Sequence, residues 1–85
     1  MNEIYNLRQQ EKETDKRRRM AARRVKWLEK LLFQSTNGKE FDRLNEELES
    51  AISTAQFYGI ELSKVRGDLA AAEMQAAQTL AQQGA

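Results

Sequence analysis

The fold of this chain is decided by residues 41–80, which read FDRLNEELESAISTAQFYGIELSKVRGDLAAAEMQAAQTL. Apolar residues recur there at alternating intervals of three and four, which places them on one narrow seam of a single helix. The seam ends at Thr79, and its eleven apolar members are Phe41, Leu44, Leu48, Ala51, Ala55, Tyr58, Leu62, Val65, Leu69, Ala72 and Ala76. Forty residues of helix span about 60 Å. Such a rod cannot bury its own seam, so the pattern predicts a partner helix.

A short turn is predicted just before this helix, at Ser35-Thr36-Asn37-Gly38. Asn37 suits the N-cap of the second helix, with Glu40 three residues later as in a capping box. Alternatively, Gly38 ends the first helix in a left-handed conformation. Both interpretations give a short connection, and short connections join antiparallel helices.

We therefore predict an all-α fold, an antiparallel helical hairpin with a long second helix that associates as a coiled coil or small bundle. The expected segments are a basic amphipathic helix at 1–34, a turn at 35–38, a long heptad-patterned helix at 39–82 and a frayed end at 83–85.

The first helix has an apolar stripe of its own, the predicted hairpin core, which consists of Ala21, Val25, Leu28 and Leu32. Towards the N-terminus the stripe becomes polar, with Arg18, Thr14 and Glu11 at the same spacing. An unpaired charge facing an apolar surface is unfavourable. We therefore expect either that the helix begins near Thr14 rather than near Asn2, or that its polar section faces outward while another chain covers the second helix. Both outcomes favour a homo-oligomer formed through the seam.

Composition excludes several classes of function. The chain has 85 residues, enough for one small domain, and contains neither Cys nor His,. Disulfides, thiolate and imidazole metal sites and the commonest general base are thereby removed. No phosphate loop or nucleophile elbow is present, and the N-terminus lacks the apolar core of a signal peptide. We expect a soluble cytoplasmic protein that is not an enzyme and binds no cofactor or metal.

Positive charge is concentrated in the first helix. Residues 1–33 carry ten Lys/Arg against five acids, whereas residues 34–85 carry four against eight. Seven cations spaced three or four apart form one line on the helix, here called the basic ridge: Arg8, Lys12, Lys16, Arg19, Arg23, Lys26 and Lys30.

The basic ridge has two interpretations. It suits a polyanion, such as a phosphate backbone, an acidic protein groove or an anionic membrane surface. Alternatively it is a solvated face whose cations pair with acids of the second helix, among them Glu46, Glu47 and Glu49, or locally as Glu13–Arg17 and Asp15–Arg19.

Two further apolar features lie off the seam. Phe57 and Ile60 fall on the far side of the second helix, either as scattered surface residues or as a second contact face. Trp27, with Met20 and Leu31, lies at one edge of the apolar stripe of the first helix, beside the basic ridge. Trp27 could anchor in a bilayer interface or stack on a base, but we expect it to cover the edge of the hairpin core.

These features predict a small non-enzymatic protein–protein interaction or assembly factor that acts as a helical oligomer on a larger protein target. An adaptor, an inhibitor and a structural subunit of a larger complex all fit this description. The alternative is a sequence-nonspecific nucleic-acid-binding protein that contacts phosphates through the basic ridge. A membrane surface is not the expected partner.

Overall fold

A computed structural model describes residues 2–84, which form two α-helices packed antiparallel against each other. Helix α1 comprises Asn2–Gln34 and helix α2 comprises Gly38–Gly84. The molecule is a rod of 71 × 15 × 14 Å. Its long dimension is that of α2, because 47 helical residues at about 1.5 Å each extend about 70 Å. The predicted all-α helical hairpin with a long second helix is confirmed.

Hydrogen bonds at the turn explain where the two helices meet. The Ser35 amide donates to the Leu32 carbonyl at 3.2 Å, which closes α1. Asn37 caps α2: its Oδ1 accepts from the Lys39 amide at 3.0 Å, and its carbonyl accepts from the Phe41 amide at 2.8 Å,. Gly38 is thus the first residue of α2. The left-handed alternative for Gly38 is wrong, since no glycine within residues 2–84 has a positive φ.

At the other ends, the helices extend as far as the structure describes them. α1 begins at Asn2 rather than near Thr14, and α2 continues without interruption through Gly59 and Gly67 to Gly84. In the C-terminal segment predicted to fray, residues 83–85, Gln83 and Gly84 are helical. Ala85 lies outside the described residues, and so does Met1, the first residue of the predicted first helix.

Five residues of the described chain are buried, and they form a thin core along the seam: Leu28, Leu44, Ala51, Leu62 and Leu69. Leu28 is fully buried and clusters with Leu44 and Ala51, while Val25, Leu31, Leu32 and Leu48 pack around this cluster partly buried. The seam of α2 therefore contacts α1 of the same chain. Because α1 extends back to Asn2, it reaches the distal part of α2 as well, where Leu69 is only 9% exposed.

The polar section of α1 is turned towards α2. Glu11, Thr14 and Arg18 are each partly buried, and Glu11 pairs with Arg66 across the helix pair. The expectation that this section faces outward, or is not part of the helix, is wrong. Its charged groups find partners at the margin of the seam, so they are not left unpaired against apolar surface.

Within residues 2–84, neither α1 nor α2 contains a stretch that is both long and apolar enough to cross a lipid bilayer.

Leu28 is the one fully buried large side chain of the described residues, and it lies at the centre of the core cluster. Leu28→Ala should lower the free energy of unfolding by about 2–5 kcal/mol, since the methyl groups removed leave a cavity among Leu44, Ala51 and Val25. Leu80→Ala is the matched control, because Leu80 is 68% exposed and its truncation should change stability by less than about 0.5 kcal/mol. Urea unfolding followed by circular dichroism measures both. Equal effects of the two substitutions would contradict this core assignment.

Candidate functional site

All seven side chains of the basic ridge are exposed on α1. Two of them have carboxylate partners. Arg8 Nη2 lies 3.4 Å from Glu73 Oε1 of α2, and Arg19 Nε lies 3.2 Å from Asp15 Oδ2. Within residues 2–84, the other five have no carboxylate oxygen within 4.0 Å: Lys12, Lys16, Arg23, Lys26 and Lys30. These five, here called the free cations, extend about 27 Å along the helix.

The alternative that the ridge is neutralised by the chain's own acids therefore holds only in part. The local pairs predicted from spacing are confirmed: Arg17 Nη2 lies 3.6 Å from Glu13 Oε1, and Arg19 pairs with Asp15. The acids near the start of α2 do not take part, because Glu46, Glu47 and Glu49 form no ion pair with any residue of the described chain. The free cations thus keep their positive field at the surface.

Asp15 binds two guanidinium groups next to the ridge. Its Oδ1 accepts a hydrogen bond from Arg18 Nη2 at 3.0 Å, while its Oδ2 faces Arg19 Nε. The hydrogen bond from Arg18 lowers the pKa of Asp15; partial burial opposes this, and the charges of Arg19, Arg18 and Arg66 add to the lowering,. Arg18 is held at the seam by this contact, although its Nε is buried with no hydrogen-bond partner within residues 2–84.

Apolar side chains accompany the free cations on α1. Trp27 and Met20 are 59% and 58% exposed, and at seven residues apart they lie on one line of the helix, two turns from each other. Trp27 is within one turn of both Arg23 and Lys30. The expectation that Trp27 covers the hairpin core is wrong, because the neighbouring Leu28 faces α2 and leaves the indole at the outer surface.

Two further arginines, which do not belong to the basic ridge, lie next to this surface. Arg17 and Arg24 line an open groove between the helices together with Met20, Ala21, Thr54 and Tyr58. The groove combines apolar walls with two guanidinium groups. Both arginines belong to the stretch KRRRMAARRVK at residues 16–26, in which seven of eleven residues are basic, so the sequence itself marks them as candidate binding residues. They lie on a neighbouring line of α1, however, and only packing against α2 places them at the groove.

The predicted second contact face is exposed on α2. Phe57 and Ile60 both have more than half of their surface accessible. The Phe57 ring meets Tyr58 edge to face, with ring centroids 5.4 Å apart and an interplanar angle of 69°,. Tyr58 itself is a partly buried seam residue, so Phe57 is anchored on one side by the hairpin while the rest of its ring remains accessible.

Comparison of the chain with known protein families, with curated proteins and with solved structures finds no match in any of the three. The function is therefore inferred from the chemistry of these surfaces.

The contacts of Asp15 generate a prediction about pH. Its folded pKa is depressed, so its contribution to stability is present above its unfolded pKa of about 3.9 and is lost as pH falls through the lower folded value,. Asp15→Asn should therefore lower the urea midpoint of unfolding near pH 7. The difference from the unsubstituted protein should shrink as the pH is lowered from about 4 towards 2. A difference that stays constant over this interval would contradict the assigned ion pairs.

Proposed function

We propose that this protein is a small non-enzymatic interaction or assembly factor that acts as a helical oligomer. In this proposal α1 docks onto an acidic surface of a larger protein. The observation that carries the proposal is the combination, on one helix face, of Trp27 and Met20 with five exposed cations that pair with no carboxylate of residues 2–84. The absence of cysteine suits a reducing compartment, so a cytoplasmic site of action belongs to the same proposal.

The mixed chemistry of the α1 face favours a protein as the target. Trp, Met and Arg are enriched at protein interfaces, and Trp and Arg dominate their binding energy. A helix presents such residues to a groove at intervals of three, four and seven, which is the spacing of Met20, Arg23 and Trp27. The free cations would steer the complex towards an acidic surface and fix its orientation.

The thin core supports a role within an assembly. Besides Trp27 and Met20, the surface exposes several large apolar side chains, including Tyr5, Phe33, Met74 and Leu80. Five residues of the described chain are buried, and small domains with so thin a core usually gain stability by association. Contact with a larger protein and with other copies would remove part of this apolar surface from water.

Nucleic acid is the alternative target, and Trp27 is the observation that favours it. An exposed indole beside cations can stack on a base while the cations contact phosphates. The formal net charge of only +1 argues for the protein target, because nucleic-acid-binding domains are usually strongly basic.

The protein-target proposal predicts which surface captures a partner. The charge reversal Lys16→Glu with Arg23→Glu, and separately Trp27→Ala, should each weaken binding to the captured partner about tenfold or more, since both changes remove central contacts of the interface. The matched control is Lys39→Glu with Arg43→Glu, the same charge change on α2, which should leave binding unchanged. Affinity capture followed by titration with the purified partner measures the effect. Equal binding by the ridge variant and the control would assign the interaction to another surface.

The nucleic-acid alternative makes a different prediction. If the five free cations contact phosphates, binding to a random-sequence duplex should fall with salt at a log–log slope of about −4.5. The same ridge reversal should abolish it. Fluorescence anisotropy over a salt series provides the measurement. No binding at the lowest salt concentration would eliminate this alternative while leaving the protein-target proposal intact.

A further inference from the structure

The outer face of α2, on the side opposite the seam, changes character along its length. Over residues 42–49 its outward positions carry Asp42, Arg43, Glu46 and Glu49. Over residues 57–81 the positions that face away from the seam are exposed, and they carry apolar, small or uncharged polar side chains apart from Lys64 and from Asp68 at their margin. Phe57, Ile60 and Met74 are the large apolar side chains of this face. A solvated helix face is normally polar or charged, so this weakly charged segment has the character of a contact surface.

Gly67 lies near the middle of this segment. A glycine within a helix destabilises it by roughly 1 kcal/mol relative to alanine. The hairpin does not require a glycine here, because the residue has no positive φ and a Cβ built on it would meet no atom within 4 Å. A glycine also permits another backbone to approach closely. The small residues Ala70 and Ala71, one turn further on, extend the space for such an approach.

The segment is complementary to itself when reversed about Gly67. Ile60 and Met74 lie seven residues on either side of the glycine, and at this spacing their side chains point within about 40° of each other around the helix. In an antiparallel pair of α2 helices centred on Gly67, Ile60 would face the partner's Met74. The branched side chain thus opposes a flexible one across the pair, which favours close packing.

Charge favours the same orientation. Lys64 and Asp68 form no ion pair within residues 2–84. In the antiparallel arrangement Lys64 would lie beside the partner's Asp68, and the two contacts made by symmetry would offset the repulsion between the two Asp68 carboxylates next to the axis. In a parallel arrangement, Lys64 would face its own copy, and like charges repel. The one cation of the face therefore fits an antiparallel second copy.

We propose that residues 57–81 of α2 form the self-association surface, on which a second copy packs antiparallel about a two-fold axis at Gly67. This inference rests on the proposed helical oligomer, and it assigns the contact to the outer face because the seam of α2 is covered by α1. The resulting dimer stacks α1, α2, and the partner's α2 and α1 in that order. The two basic ridges then lie on opposite outer sides, where two acidic sites can be engaged at once.

The first test measures molar mass by light scattering over a dilution series. The unsubstituted protein should reach twice the mass of one chain at high concentration. Gly67→Glu should remain at the mass of one chain with its helicity retained, because two carboxylates would meet at the axis while glutamate itself favours helix. Lys16→Glu with Arg23→Glu is the control on α1 and should keep the doubled mass.

The second test determines the orientation. Ile60→Lys and Met74→Glu should each prevent the doubling of mass, since each introduces a charge opposite an apolar side chain. The double variant should recover it, because in the antiparallel dimer each lysine faces a glutamate of the other copy. Failure of the double variant to recover the doubled mass would overturn the antiparallel arrangement.

The outcomes separate this inference from the proposed function. A doubled mass that persists in Gly67→Glu would place self-association elsewhere and overturn the inference while leaving the proposed oligomer standing. A single-chain mass at every concentration would overturn both. Capture of a partner by the basic ridge is measured independently, so its loss in ridge variants would still support the protein-target proposal.

Discussion

The packing of Leu28 against Leu44 and Ala51 is the contact on which the rest of the structure depends. It brings the apolar stripe of α1 onto the seam of α2 close to the turn, and this sets the rotation of α1 about its axis. Because the helix is rigid, that rotation also determines that Trp27 and the free cations lie at the outer surface. The other buried residues of the described chain, Leu62 and Leu69, continue the apolar contact along α2 away from the turn.

The two charged residues in the polar section of α1, Glu11 and Arg18, both form ion pairs. Asp15 engages Arg18 and Arg19 on its own helix, while Glu11 reaches Arg66 and Arg8 reaches Glu73 on the other. Exposed ion pairs of this kind contribute little stability individually. They do provide partners for charged groups that the register of the hairpin brings to the margin of the seam. Arg66 and Glu73 lie on either side of Leu69 in the sequence, so these pairs border the buried residues that hold the distal part of the hairpin together.

The two outer faces of the rod differ in chemistry. We assign partner binding to the face of α1 and self-association to the face of α2. The α1 face combines unpaired cations with Trp27 and Met20, which suits an acidic partner. The outer face of α2 over residues 57–81 carries little charge beyond Lys64 and Asp68 and exposes Gly67 near its middle, which suits close packing with a second helix. The faces lie on opposite sides of the hairpin, so a partner bound to one face leaves the other face accessible. A dimer formed through α2 would present two basic ridges, and this bivalency would strengthen binding to a target with two acidic sites.

Local features of this protein are determined by the sequence alone. The 3-4 spacing predicts both helices, Asn37 predicts the cap of α2, and the i,i+4 spacing predicts the Glu13–Arg17 and Asp15–Arg19 pairs, because all of these depend on residues within one or two turns of each other. Only the tertiary structure decided that α1 begins at Asn2, that its polar section faces α2 and that Trp27 is exposed. Those outcomes depend on pairs such as Arg8–Glu73, 65 residues apart, which periodicity along a single helix does not encode.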